Sequence, residues 1–173
     1  MTTATTTNKN KKRATVLALA AALAIPFEGL RQYAYYDPPG ILTVCYGSTT
    51  DVVKGRKYSL DECKVRLDKD MMDAVLVVEN CTKDVDLSVN QMVAFADMVY
   101  NIGPRPVCDA SQSTLARKLQ AGDVMGACEQ IPRWNKARVA GQMVALPGLT
   151  KRRNAEAELC KTPDPIVTEN VTV

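Results

Sequence analysis

The chain has 173 residues, 46% of them apolar and 24% charged, the proportions of a globular protein long enough to bury one substantial core. A formal charge of +3 is too mild to argue for nucleic-acid binding, although it favours an anionic polymer as partner. Histidine is absent, which excludes Ser-His and Cys-His nucleophile pairs and every His-containing metal site.

In chain order, residues 1–13 are Thr-, Asn- and Lys-rich and read as a disordered basic N-terminus. Residues 14–27 are almost wholly Ala, Leu, Val and Ile behind the positive flank Lys9, Lys11, Lys12 and Arg13, the pattern of an export signal. As a helix this run spans about 21 Å, short of a hydrocarbon core of about 30 Å, so it would hold a membrane weakly. Ala22-Leu23-Ala24 offers a cleavage-like site, but cutting there leaves Glu28 near a frayed new end. The reading is therefore an uncleaved signal-anchor, with an ordinary buried first helix as the competing one.

Residues 24–49, AIPFEGLRQYAYYDPPGILTVCYGST, carry the most chemistry. Glu28 closes the apolar helical run, Asp37 sits beside the turn signal Pro38-Pro39-Gly40, and Thr43 lies in a β-branched run from Ile41 to Tyr46. Two carboxylates in unlike settings can hold one protonated and one ionised at the same pH, as cleavage of a glycosidic bond requires.

Gly55 and Lys57-Tyr58 mark the end of a small sheet. Ser59-Leu60-Asp61-Glu62 is a capping box opening a long helix, with Leu60, Cys63, Leu67, Met71, Val75 and Val78 on one face. Ser88-Val89-Asn90-Gln91 opens a second helix that stops at Gly103-Pro104. Short helices follow over 113–120 and 123–130, and a last one runs from about Pro147 to Cys160. Residues 161–173 carry Pro163 and Pro165 without periodicity and read as a disordered tail.

Six cysteines (Cys45, Cys63, Cys81, Cys108, Cys128, Cys160) are scattered singly with no C-x-x-C. Their even count and the export-like start favour three disulfides in an oxidising compartment over six free thiols or a Cys₄ zinc site. Fifteen connectivities stay open at this point.

The pattern Glu28-x₈-Asp37-x₅-Thr43 resembles the catalytic signature of phage endolysins of the T-even and lambdoid lysozyme family. VYNIG (99–103), STLARKLQAGD (113–123), RWNKA (133–137) and LPGLTKRRNAEAELC (146–160) resemble family segments in family order, so the likeness covers 24–160, the expected catalytic domain. It implies an α+β, mainly α fold: a small N-terminal lobe with a short β-sheet, joined by a long helix to a helical C-terminal lobe.

The resemblance implies a cofactor-free, metal-free muramidase cleaving the β-1,4 bond between N-acetylmuramic acid and N-acetylglucosamine. It assigns Glu28 as general acid, Asp37 as ionised partner and Thr43 as a holder of the attacking water. Asn101 matches a substrate-contacting position. Arg152, with Arg153, resembles a basic pair near the cleft that would meet peptide carboxylates of the wall. Trp134 is expected in the core.

The pairs implied by disulfide-bearing relatives are Cys45–Cys63, Cys81–Cys108 and Cys128–Cys160. Ser48 stands where many family members have His, so the small lobe must be held otherwise. The apolar run resembles the signal-anchor-release subgroup: exported by host machinery, tethered transiently to the inner membrane through residues 14–27, active in the periplasm as a monomer. A lytic transglycosylase and a non-catalytic peptidoglycan-binding module are the alternatives.

Overall fold

The computed structural model describes residues 2–37 and 40–164. The architecture is the expected mainly helical α+β one. Helix α1 runs Thr2–Glu28, followed by strands β1 (Arg31–Tyr36) and β2 (Leu42–Cys45), the long helix α2 (Leu60–Cys81) and helix α3 (Val89–Ile102). Four short helical segments follow: α4 (Arg105–Cys108), α5 (Thr114–Gln120), α6 (Val124–Cys128) and a 3₁₀ turn (Ile131–Trp134). Strands β3 (Lys136–Val139) and β4 (Gln142–Ala145) precede the last helix, α7 (Pro147–Lys161).

The small lobe is the antiparallel β1–β2 hairpin, in which Tyr35 faces Thr43 and Arg31 faces Cys45. Its core is Val44, Cys45, Tyr58 and Cys63. Ser48, which stands where many members of the resembled family have His, is buried and its hydroxyl accepts from Arg66 Nη1 at 3.4 Å. The Cys45–Cys63 disulfide ties the hairpin to α2.

Both capping boxes form. Ser59 accepts from the Glu62 N–H while Glu62 accepts from the Ser59 N–H, and Ser88 and Gln91 repeat the exchange. Helix α3 is the hub of the large lobe: every residue from Met92 to Val99 is buried, and α1, α2, α4 and α7 pack around it. Val16, Ala20 and Ala24 of α1 enter that core beside Met71, Val75 and Val78 of α2.

Two expected disordered segments are ordered where described. Residues 2–13 continue α1, because its basic flank has partners across the lobe. Arg13 forks onto Glu79 at 2.7 and 2.5 Å, holding that carboxyl below its ordinary range, and Lys12 Nζ donates to the Leu87 carbonyl at 2.6 Å. At the other end Lys161 closes α7, and Asp164 accepts from the Val89 and Asn90 N–H groups at 2.7 and 2.8 Å. It thereby satisfies two orphan donors of the α3 N-terminus. Although desolvation acts upward, these N–H groups draw Asp164 below the usual carboxylate value. Residues 165–173 and Met1 lie outside the described residues. Among the described residues no helix is long and apolar enough to cross a membrane.

The β3–β4 hairpin has no counterpart in the sequence reading. Its two-residue turn, Ala140-Gly141, has both φ angles positive, 48° and 84°, which matches the right-handed twist of the flanking strands.

The other disulfides are Cys81–Cys108 and Cys128–Cys160, the pairs implied by the resemblance. The last joins α6 to α7 inside the core across 32 residues, and closing a loop of that length is worth about 3–4 kcal/mol in the chain-entropy model. Replacing both cysteines by Ser is expected to lower unfolding free energy by about that amount in denaturant titration. A parental protein equally stable with and without reductant would contradict this.

Candidate active site

Glu28 is the last residue of α1, and Gly29, at φ +67°, ends the helix in the left-handed conformation that glycine adopts without penalty. The Glu28 side chain is 17% exposed, held where the two lobes meet. Its Oε1 accepts from Arg152 Nη1 of α7. On the other side, a Cβ added to Gly47 would stand 3.2 Å from Glu28 Oε2. Gly47 follows β2 at φ +92°, so the small lobe reaches Glu28 through a residue without a side chain. Tyr100 of α3 fixes that approach, its hydroxyl donating to the Tyr46 carbonyl. Burial, and then the nearby Glu28 carboxylate, push the Tyr100 phenol upward, so it stays a donor.

Gly47→Ala is expected to reduce kcat by tenfold or more, because a misplacement of about 1 Å costs up to roughly 10²-fold. Circular dichroism would report the retained fold. Parental kcat in this variant would mean that the Glu28 carboxyl does not depend on the gap.

Asp37 follows β1 and is half-buried in a polar turn. Its Oδ1 accepts from the Ile41 N–H at 2.7 Å, and its own N–H donates to the Ile41 carbonyl at 3.0 Å. Thr43 is buried in β2, its Oγ1 donating to the same Ile41 carbonyl at 3.0 Å. Ile41 thus links Asp37 and Thr43 on one hairpin, whose continuation at Gly47 abuts Glu28.

Arg152 and Arg153, expected to face the wall, are 2% and 0% exposed. Arg152 Nε and Nη2 donate to Asp97 Oδ2 and Oδ1 at 2.8 and 2.7 Å, and Phe27 covers the guanidinium at 5.5 Å. Arg153 Nη2 donates to Glu156 at 2.5 Å and to Asn101 Oδ1 at 2.9 Å. Inward-facing acidic groups explain the burial, since a buried cation must be paired: Asp97 and Glu28 take the Arg152 donors, whereas Arg153 meets Glu156 and Asn101 through Nη2 alone, its buried Nε and Nη1 finding no hydrogen-bond partner. Asp97 and Glu156 are both fully buried and had no place in the sequence reading. The signal for Asp97 was a lone charge inside the apolar run VAFADMVY.

Asn101 is half-buried at the end of α3. A guanidinium only donates, so Asn101 presents its oxygen to Arg153, and its amide N–H₂ is a donor that this bond does not use. Trp134 is half-buried: it packs against the helical core and also lines a groove of about 760 Å³ with Ile102, Arg105, Asp109, Lys136 and Met143. That groove holds none of Glu28, Asp37 and Thr43.

A small β lobe and a helical lobe sharing one long helix, with an acid on the first helix held by a buried arginine, are the architecture of a lysozyme-type glycoside hydrolase. The phage lysozyme family model matches residues 26–156. Over 148 residues the chain is 37% identical to the SAR-endolysin of Pseudomonas phage phiKMV, covering 84% of this chain and 89% of that protein. Among solved structures, the muramidase domain of SpmX from Asticaccaulis excentricus aligns with a TM-score of 0.75 at 30% identity, covering 84% of this chain and 96% of that one. The endolysin from Escherichia coli O157:H7 phage FAHEc1 aligns at 0.71 and 31%, covering 85% and 90%. The chain belongs to the phage lysozyme family.

Proposed function

We propose that this endolysin hydrolyses the β-1,4 bond between N-acetylmuramic acid and N-acetylglucosamine in peptidoglycan. Glu28 protonates the leaving oxygen, Asp37 supports the oxocarbenium-like transition state or activates water, and Thr43 helps hold that water. The observation that carries the reading is the contrast between the two carboxylates. Glu28 is largely covered and faces a buried ion cluster, whereas Asp37 sits in a turn and accepts a backbone N–H. A covered carboxyl aimed by a buried arginine and a second carboxyl on a polar turn are the two groups that an acid-assisted glycosidic cleavage needs. The amide N–H₂ of Asn101 suits an acetamido carbonyl of the sugar.

The apolar run of 14–27 and the SAR-endolysin relatives support export by host machinery and a transient tether at the inner membrane. On release, residues 14–27 dock as the core-facing half of α1, and the enzyme acts in the periplasm as a monomer.

Mass analysis of digested peptidoglycan tests the reaction. Hydrolysis gives fragments with a reducing N-acetylmuramic acid end. Products lighter by one water would assign a transglycosylase instead, and binding without new ends would assign a binding module.

A further inference from the structure

The buried cluster behind Glu28 contains two guanidinium groups, Arg152 and Arg153, and three carboxyl groups, Glu28, Asp97 and Glu156. The groups facing Glu28 are Arg152 from α7 and Asp97 and Tyr100 from α3, with Arg153 and Glu156 of α7 behind Arg152 and Asp70 of α2 near Tyr100. Asp97 takes two of the three guanidinium nitrogens of Arg152, so only Nη1 remains for Glu28. This fork fixes the plane and direction of the guanidinium, and neither partner is more than 2% exposed.

A general acid must carry its proton before it reacts. A protonated Glu28 no longer neutralises Arg152, and a buried cation without a counter-ion is strongly disfavoured. Some other anion must therefore remain on Arg152 through that state. Glu156 is poorly placed for this: it lies 3.5 Å from Arg152 Nε and is closer to Arg153, at 2.5 Å. Burial, followed by the neighbouring Asp97, also drives its carboxyl well above the ordinary range, into its neutral form at neutral pH.

We propose that Asp97 is a positioning residue for the hydrolysis: it is the counter-ion that keeps Arg152 buried and aimed while Glu28 carries its proton. The inference rests on the assignment of Glu28 as general acid. Without Asp97, protonated Glu28 leaves Arg152 and Arg153 with no carboxylate charge among them, so the cluster favours loss of the Glu28 proton.

The test is the pH–rate profile of kcat on soluble peptidoglycan fragments for the parent, Asp97→Asn and Glu156→Gln, with Glu28→Gln alongside. Asp97→Asn should move the alkaline limb down by about one pH unit. A lower rate with an unmoved limb would reduce Asp97 to a structural residue and overturn the proposal. Glu156→Gln should leave the limb in place, since the amide mimics a neutral acid; a displaced limb there would show that Glu156 carries the counter-charge instead.

Where Asp97→Asn does not fold, Arg152→Gln and the double variant Asp97→Asn/Arg152→Gln decide, because removing both members of a buried pair is better tolerated than removing one. If Asp97 acts through Arg152, those two variants share one alkaline limb, and a further displacement in the double variant overturns the proposal. Parental activity in Glu28→Gln would instead overturn the assignment of the acid, which separates the two failures.

Discussion

Glu28→Gln is expected to fold like the parent and to clear a peptidoglycan suspension between about 10²- and 10⁴-fold more slowly, the contribution of a positioned proton donor. The fold should survive because glutamine keeps the length of the side chain and offers an oxygen to Arg152 Nη1. Arg152 also keeps its two bonds to Asp97, so no cation is left alone in the core. The chemistry should not survive, because an amide cannot give up a proton to a leaving alkoxide. Turbidity clearing measures the loss and a thermal melt confirms the fold. Clearing at the parental rate would place the acid elsewhere.

Removal of residues 2–27 is the second large effect expected. Val16, Ala20 and Ala24 are buried, and Leu17 and Leu23 pack against the same core. Losing this face exposes apolar surface on α2 and α3 and forfeits on the order of 5 kcal/mol, comparable with the whole stability of a small domain. The Arg13–Glu79 fork goes with it, and Glu28 loses the helix that aims it. The truncated chain, supplied soluble, should therefore show no cooperative melt and little wall-degrading activity. Full activity with a cooperative transition would make the segment a leader with no part in the fold.

How much of this was readable in the sequence depended on how local the cause was. The starts of α2 and α3 were legible because Ser59 with Glu62, and Ser88 with Gln91, are reciprocal caps within four residues. Glu28, Asp37 and Thr43 stood out because their spacing matches a family signature; composition alone would not have separated them from any solvated carboxylate.

The first half of α1 was missed because its many Thr and Asn residues have low helical propensity, and the partners that order it, Glu79 and Leu87, lie 66 and 75 residues away. Asp164 was misread for the same reason: the donors it satisfies belong to Val89 and Asn90. The β3–β4 turn escaped because Ala140 adopts a positive φ without the usual Asn-Gly signal. Arg152 and Arg153 read as a wall-facing pair because their segment resembles one that carries a basic pair near the cleft in the family. Only the tertiary placement of Asp97 and Glu156 turns that face inward.

The measurement that bears most directly on the central claim is a crystal structure of the Glu28→Gln variant with a peptidoglycan fragment spanning the cleft. The account predicts the scissile oxygen within hydrogen-bonding distance of residue 28 and the Asp37 carboxylate on the opposite side of the sugar. For an inverting enzyme the two side-chain termini would stand roughly 6.5–9.5 Å apart. A fragment bound in register with Asp37 on the same side as residue 28, or remote from the sugar, would contradict it.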